Sequence, residues 1–179
     1  MSEGAAAFRD PGSGPIMRQK EGDVTKELVE GELAPDFELP TDGGGRTHLG
    51  KLKGKPVVIY FYPKDDTSGC TAEAIAFNGL RAKFAAAGAT VIGVSPDSAT
   101  SHDKFKRKHD LEIALAADPD RSAIEAYGVW KEKSMYGRKY FGVERSTFLI
   151  DRSGRIAKVW RKVKVPGHAE EVLAATKAL

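Results

Sequence analysis

Residues 56–73 read PVVIYFYPKDDTSGCTAE and join a strand pattern to a helix pattern. The β-branched and aromatic run Pro56–Tyr62 is typical of a central strand that is buried on both faces. The residues Asp65–Ser68 are all plausible helix caps, and the helical pattern Thr71–Ala87 begins three residues after Ser68. We therefore expect Cys70 in the first turn of a helix, just beyond the carboxyl end of a buried strand, where sites in open α/β sheets collect.

Strand and helix patterns alternate along the rest of the chain. Two short strands, Phe37–Leu39 and Arg46–Leu49, flank a glycine-rich turn and predict an N-terminal β-hairpin. The later strand patterns are Thr90–Ser95, Ser146–Asp151 and Arg155–Trp160, and the later helical patterns are Ser101–His109, Ser122–Tyr127 and His168–Leu179. This order predicts an α/β fold with a mixed central sheet flanked by helices.

The length and composition fit one domain with a tail. The chain has 179 residues, of which 41% are hydrophobic, and this is enough for a core without disulfides or metal. The segment Met1–Gly14 is rich in small residues and lacks the apolar stretch of a secretory signal. We expect residues 1–32 to form a flexible tail and residues 33–179 to form the domain. The sequence contains no apolar run of the length that a membrane span needs.

The cysteine count and the charge narrow the classes of partner. One cysteine allows no intramolecular disulfide and no multi-cysteine zinc site, and it favours a reducing compartment, the cytoplasm. We expect no cofactor and no metal. The net charge is only +3, and the basic, aromatic stretch Lys131–Phe141 is predicted to be a solvated loop. Neither nucleic acid nor membrane is expected as a partner.

Two interpretations of Cys70 remain open from the residues alone. The amides at a helix start favour a thiolate, and Thr67, three residues earlier, is expected to face the sulfur and to donate to it or to a bound oxygen. Against this, Cys70 shares a helical stripe with Ala74, Phe77 and Phe84, which is typical of an inert core cysteine. The two interpretations carry about equal weight.

Longer motifs add a resemblance to a known family. The pattern Pro63-x-x-x-Thr67-x-x-Cys70 resembles the signature of peroxiredoxins, and Tyr60–Thr67 resembles their PrxQ branch, also called bacterioferritin comigratory proteins. The segments Tyr127–Gly137 and Gly142–Asp151 resemble the same branch. The likeness runs from about Leu33 to the C-terminus. It implies a thioredoxin-like fold and a thiol peroxidase whose Cys70 is oxidised to a sulfenic acid by hydrogen peroxide or an organic hydroperoxide.

The resemblance also implies supporting residues. Thr67, the amides of Gly69 and Cys70, and the Arg145 guanidinium would donate to the peroxide oxygens, and Arg145 would favour the thiolate. Pro63 would shield the sulfenic acid from water. From the residues alone, Arg145 is an ordinary charge at a strand start.

Two departures from the family pattern are visible. Ser68 stands where the family often has proline, which would loosen the loop slightly. The resolving cysteine of many relatives would fall at Ile75 or around Phe105–Lys106, and neither place holds cysteine. The chain resembles a single-cysteine member, so its reductant would be an external thiol: thioredoxin, glutaredoxin or glutathione. The resemblance favours a monomer.

Two other functions compete with the peroxidase. A cysteine hydrolase would need a histidine base beside Cys70, and the candidates are His48, His102, His109 and His168. His102 and His109 also have the spacing of a weak metal pair, although exposed polar residues are the expected interpretation. The other alternative is a thioredoxin-fold protein whose catalysis has lapsed.

Overall fold

The computed structural model describes residues 27–179, and the sequence expectations for residues 1–26 lie outside this range. The described chain contains nine strands and five α-helices. The strands are β1 Glu38–Pro40, β2 Arg46–His48, β3 Val57–Phe61, β4 Thr90–Ser95, β5 Ala114–Ala117, β6 Trp130–Met135, β7 Arg138–Val143, β8 Ser146–Ile150 and β9 Ile156–Trp160. The helices are α1 Ser68–Gly79, α2 Arg81–Ala86, α3 Ala99–His109, α4 Ser122–Ala126 and α5 His168–Lys177.

Five strands form the central sheet in the order β5-β4-β3-β8-β9. Strand β3 pairs in parallel with β4 and antiparallel with β8, so the sheet is mixed, as the sequence predicts. All five residues of β3 are buried, which explains its unbroken apolar pattern. Successive side chains of β3 enter opposite cores: Ile59 joins the core with Phe148 and Tyr127, and Tyr60 joins the core with Phe77.

The N-terminal hairpin is confirmed. Strands β1 and β2 pair antiparallel, and Phe37 and Leu39 are buried in the core on the α4 side of the sheet. Residues 27–32 also contact the sheet, since the Gly31 amide donates to the Ile156 carbonyl at 2.8 Å. The boundary of the domain at residue 33 stays a prediction.

The predicted single helix Thr71–Ala87 is wrong in one respect, because it is two helices. Helix α1 ends at Gly79, and the Leu80 amide bonds to the Phe77 carbonyl three residues back. Helix α2 then starts at Arg81. Phe77 and Phe84 lie in one core on either side of the break, which is why the apolar pattern alone did not reveal it.

Two elements of the fold were not predicted from the sequence: strand β5 and the hairpin β6–β7. Strand β5, with the sequence ALAA, has little strand propensity and forms because it pairs with β4 in a buried position. The predicted loop Lys131–Phe141 is instead the antiparallel hairpin β6–β7, and that prediction is wrong. Tyr136 and Gly137 both have positive φ, of 51° and 75°, and form a tight two-residue turn. Lysine-rich strands and a Tyr-Gly turn give a weak hairpin signal.

Within residues 27–179, no helix has the length and apolar character needed to cross a membrane.

Candidate active site

Cys70 lies in the first turn of α1, as the sequence predicts. The first intrahelical hydrogen bond runs from the Thr71 amide to the Thr67 carbonyl at 2.8 Å. The amides of Ser68, Gly69 and Cys70 therefore have no carbonyl partner within the helix, and they make the surroundings of the sulfur electropositive. Cys70 is 1% exposed and packs with Tyr60, so it is also a core residue. Cys70 therefore has the features of both interpretations from the sequence, since it lies at a helix start and is buried in the core.

Strand pairing brings Arg145 to this sulfur. Phe61, at the end of β3, is the register partner of Ser146, at the start of β8. Arg145 precedes Ser146 and therefore lies next to the loop that carries Cys70. Its Nη2 is 3.3 Å from the Cys70 Sγ. Its backbone carbonyl accepts from the Val163 amide at 2.9 Å, which fixes the strand end.

Glu73 is a member of this site that sequence reasoning missed. Its Oε1 accepts from Arg145 Nη1 at 2.8 Å, and its side chain is 2% exposed. The guanidinium thus bridges Cys70 and Glu73, which are one turn apart on the same helix. The available signal was the spacing of three residues between Cys70 and Glu73, which indicates that both lie on one face of a helix. This spacing predicts no shared site until Arg145 is known to lie beside them.

The ion pair is asymmetric. Burial raises the pKa of Glu73 to about 7, although the charge and hydrogen bond of Arg145 oppose this shift. Burial acts to lower the pKa of Arg145, but Glu73 and Cys70 outweigh it, and the net pKa is raised. Arg145 therefore stays a cation while Glu73 titrates near neutral pH. Among residues 27–179, no group hydrogen-bonds the second carboxylate oxygen of Glu73.

We expect Glu73→Gln to change how stability depends on pH. The pKa of Glu73 is about 7 in the folded state, whereas the ordinary value of a glutamate carboxyl is 4.5. Such a carboxyl stabilises the folded protein at low pH, and this contribution is lost as the pH rises from 4.5 to 7. The free energy of unfolding of the unsubstituted protein should fall relative to that of Glu73→Gln across this window, by roughly 2 to 3 kcal/mol. Denaturant titrations at several pH values measure it. Parallel pH curves for the two proteins would contradict the assignment.

Gly69 provides the space for the guanidinium. A Cβ at residue 69 would lie 3.2 Å from Arg145 Nη2, closer than ordinary contact. The absent side chain therefore lets Arg145 approach the helix start and the sulfur together.

We expect Gly69→Ala to separate activity from stability. Alanine is the better helix former by about 1 kcal/mol, so thermal stability should hold or rise. The peroxide rate should fall by roughly threefold to tenfold, because a small displacement of a charged donor weakens its contact with the reacting atoms. Ala72→Gly, three residues further on in α1, is a matched control for the change in helix propensity. A Gly69→Ala protein with unchanged rate would show that Arg145 does not need this space.

Thr67 does not make the contact that the sequence predicts. Its hydroxyl donates to the Lys64 carbonyl at 2.9 Å, and it forms no hydrogen bond to Cys70 within the described chain. The expectation treated Thr67 as helical, whereas it is the extended residue before the helix, with φ of −86° and ψ of 154°. With its proton committed to Lys64, the hydroxyl is oriented to accept from a bound O–H. Pro63 is partly buried in the same loop.

A buried polar cluster holds this loop against α3. The Asp65 carboxylate accepts from Tyr62 Oη at 2.6 Å, Ser101 Oγ at 2.8 Å and His102 Nδ1 at 2.7 Å. The Asp65 amide donates to Asp97 Oδ2 at 2.8 Å. Asp65 is therefore a loop anchor and no helix cap, and the expectation that His102 is exposed is wrong. The tendency of Asp65 to cap a helix is predicted from its near neighbours in sequence. Its partner His102 is 37 residues away, so the local sequence could not predict this contact.

The four histidines are engaged elsewhere. His48 pairs with Asp36, His102 with Asp65, His109 with Asp66, and His168 with Thr147. None of them hydrogen-bonds the Cys70 sulfur in residues 27–179, so the described structure offers no base for a cysteine hydrolase. The same residues contain no cluster of three or more potential metal ligands.

These features define a class of protein. A single thiol at a helix start, paired with a partly buried guanidinium on a mixed α/β sheet, is the arrangement of a thiol peroxidase. The chain belongs to the AhpC/TSA family, whose model matches residues 31–159, and within it to the Bcp or PrxQ peroxiredoxins.

The relatives are similar over most of their length. Peroxiredoxin Bcp of Bacillus subtilis is 51% identical over 147 residues, which cover 82% of this chain and 94% of the relative. The structure of Xanthomonas campestris peroxiredoxin Q is 49% identical, with a TM-score of 0.76, covering 79% of this chain and 90% of the other. Xylella fastidiosa PrxQ is 42% identical, with a TM-score of 0.81, covering 86% of this chain and 98% of the other. Another Xanthomonas structure concerns alkyl peroxide reduction by its bacterioferritin comigratory protein.

The family and the fold that the resemblance implies are confirmed. The chain has the thioredoxin-like fold and is a thiol peroxidase, which acts on peroxides with a thiol reductant. The comparisons therefore favour the peroxidase over the hydrolase and over lapsed catalysis.

Proposed function

We propose that Cys70 is the peroxidatic residue and that the Arg145 guanidinium activates it. The observation that carries this proposal is the 3.3 Å contact between Arg145 Nη2 and the Cys70 sulfur. A charge-assisted donor beside sulfur favours the thiolate, which is the nucleophilic form. Low exposure strengthens the interaction, because water does not screen it.

The first half-reaction transfers one oxygen atom. The thiolate attacks the terminal peroxide oxygen, an S–O bond forms as the O–O bond breaks, and the products are a sulfenic acid and an alkoxide or hydroxide. The leaving oxygen takes a proton from the medium and departs as alcohol or water. Negative charge moves from sulfur to this oxygen, so donors that reach both positions stabilise the transition state.

Arg145 and the amides of Gly69 and Cys70 are the donors for that charge. Thr67 accepts the peroxide O–H and so orients the substrate, because its own proton bonds to Lys64. Pro63 limits the access of water to the sulfenic acid. Since Cys70 is 1% exposed, the loop that contains Lys64, Asp66 and Thr67 must open for peroxide to enter.

The second half-reaction needs a thiol from outside the chain, because the sequence contains no second cysteine. Ile75, one of the positions where relatives carry a resolving cysteine, is 49% exposed and cannot form a disulfide. Thioredoxin, glutaredoxin and glutathione are the candidate reductants. A single thiol that must stay reduced fits the cytoplasm, and a monomer is the proposed state.

A single-turnover experiment tests the proposal. Pre-reduced protein is mixed with hydrogen peroxide in the absence of thiol, and the peptide that contains Cys70 should gain the mass of one oxygen atom as peroxide disappears. A panel of reductants then restores the thiol and ranks the three candidates. A protein that consumes no peroxide and leaves Cys70 unmodified would support lapsed catalysis. Sedimentation under reducing conditions should give the mass of one chain.

A further inference from the structure

His102, on α3, is fully buried, and both nitrogens of its ring face an acceptor. Its Nε2 lies 3.0 Å from the carbonyl oxygen of Ala116 in β5, and its Nδ1 lies 2.7 Å from Asp65 Oδ2. The side chains of His102 and Asp65 are 0% and 4% exposed. The protons for these two contacts must therefore come from the two side chains themselves.

The two contacts together need two protons. A carbonyl oxygen only accepts, so Nε2 must carry one proton. The other lies between Nδ1 and the carboxylate, either on a histidinium ring or on a protonated Asp65, and the total is the same in both cases. A neutral ring beside a carboxylate has one proton fewer, and two lone pairs would then face each other at one of the contacts. The closed structure thus holds one proton more than a neutral histidine and a carboxylate do separately.

The other groups around the pair favour this extra proton. Tyr62 Oη donates to Asp65 Oδ1 at 2.6 Å, and Ser101 Oγ donates to Asp65 Oδ2 at 2.8 Å. A second carboxylate, that of Asp97 after β4, accepts from the Asp65 amide at 2.8 Å. In the described part of the chain, no lysine or arginine lies within ion-pair distance of Asp65. The ring of His102 therefore lies beside negative charge that no other cation balances.

The pair lies at the loop that covers the thiol. Asp65 is in the middle of this active-site loop, residues 63–67, and Thr67 follows it by two residues. Helix α1 and Cys70 come directly after the loop. Because Cys70 is 1% exposed, a peroxide reaches it only when the loop moves. Any group that holds Asp65 in place also controls how far the loop can open.

We propose that His102 and Asp65 are positioning residues that lock the active-site loop with their shared proton and so set the size of the peroxide that enters. With the proton present, the loop stays closed and opens only enough for a small peroxide. When the proton passes to solvent, the ring presents a lone pair to Asp65, and the loop opens further. The proposal rests on the peroxidase function proposed above and adds what determines its substrate size.

A second histidine joins the same loop to the same helix and provides a matched control. His109 Nε2 lies 2.9 Å from Asp66 Oδ1, and Lys108 Nζ lies 2.6 Å from Asp66 Oδ2. The Asp66 side chain is 43% exposed, so water can replace either partner at little cost. His109→Gln should therefore leave the behaviour of the loop unchanged.

Two peroxides of different size test the lock: hydrogen peroxide and cumene hydroperoxide. Each oxidises Cys70 in a single turnover, and the ratio of the bulky to the small rate constant is followed with pH. Both peroxides react with the same thiolate, so the ratio cancels the ionisation of Cys70 and reports the opening of the loop. In the unsubstituted protein, the ratio should rise about threefold to tenfold from about pH 6 to about pH 9, because the closed state holds the proton.

Two substitutions in the pair should act in opposite directions. His102→Gln cannot fill both contacts, so it should give the high ratio at every pH. Asp65→Asn should give the low ratio at every pH, because the asparagine amide can donate to Nδ1 of a neutral ring while Nε2 still donates to Ala116. A purely structural role would make both variants looser. Glu73 titrates near neutral pH as well, and Glu73→Gln should retain the pH dependence of the ratio.

The outcomes separate the two proposals. If the unsubstituted protein oxidises Cys70 with neither peroxide, the proposed function fails. If both react but the ratio does not change with pH, or if Asp65→Asn raises it, the shared proton does not lock the loop. A pH dependence that persists in Asp65→Asn, or disappears in His109→Gln or Glu73→Gln, would also overturn the proposal, because the proton would then belong to another group. Should His102→Gln fail to fold, the ratio measured for Asp65→Asn decides alone.

Discussion

Cys70→Ser is expected to abolish peroxide consumption in excess dithiothreitol, by at least about a hundredfold. A serine hydroxyl keeps its proton beside the same arginine and is a poor nucleophile, whereas the sulfur reacts as a thiolate. No other thiol in the chain can replace it. The measurement is peroxide loss under steady-state conditions, together with a thiol titration that should fall to zero.

A control on the same helix shows whether Cys70→Ser loses peroxide consumption because the thiol is removed or because serine disturbs α1. Ile75→Ser also introduces serine into α1, at a position that is 49% exposed, and it should retain the full rate. Both variants should unfold at temperatures close to that of the unsubstituted protein. Peroxide turnover by Cys70→Ser at more than a tenth of the original rate would refute the assignment of the nucleophile.

Arg145→Ala should lower the rate of sulfenic acid formation by about a hundredfold to a thousandfold. The substitution removes the donor at 3.3 Å from the sulfur and the charge that favours the thiolate. The measurement is the rate of Cys70 oxidation in a single turnover, and an unchanged rate would remove Arg145 from the site.

The ion pair between Arg145 and Glu73 means that Arg145→Ala affects stability as well as rate, and a second substitution at Glu73 separates the two effects. Arg145→Ala leaves a buried carboxylate without a partner, which costs up to about 3 kcal/mol of stability unless Glu73 is protonated. The double variant Glu73→Gln/Arg145→Ala avoids this cost and should regain stability but not rate. Arg145→Lys keeps the charge but contacts one partner at a time, so its rate should be intermediate. Recovery of the full rate in the double variant would mean that Arg145 acts only by stabilising the fold.

Burial of Cys70 is compatible with both of its roles. The sulfur packs in the core with Tyr60 and Phe77, and its loop is anchored through Asp65 to His102. In the proposed mechanism, the exclusion of water would strengthen the contact of a thiolate with Arg145, and a peroxide would reach the sulfur when the exposed loop residues move. The helical stripe that favours an inert cysteine is therefore also compatible with the peroxidatic role that we propose for Cys70.

The sequence predicted the local part of this site well. A β-branched run followed by capping residues places Cys70 at a strand-to-helix junction, because strand and helix propensities act over a few residues. The cysteine count also determined the need for an external thiol, which no fold could alter. The break between α1 and α2, the weak strand β5, the lysine-rich hairpin and the partners of Thr67, Asp65 and His102 were outside the reach of local patterns.

The tertiary structure decided which charges surround the sulfur. Arg145 reaches Cys70 because β8 pairs with β3, and this register joins residues 75 positions apart. Glu73 became part of the site only when Arg145 was placed beside it. Pairing across such distances depends on the order of strands in the whole sheet, and the energy of each charged group depends on burial that no short segment determines.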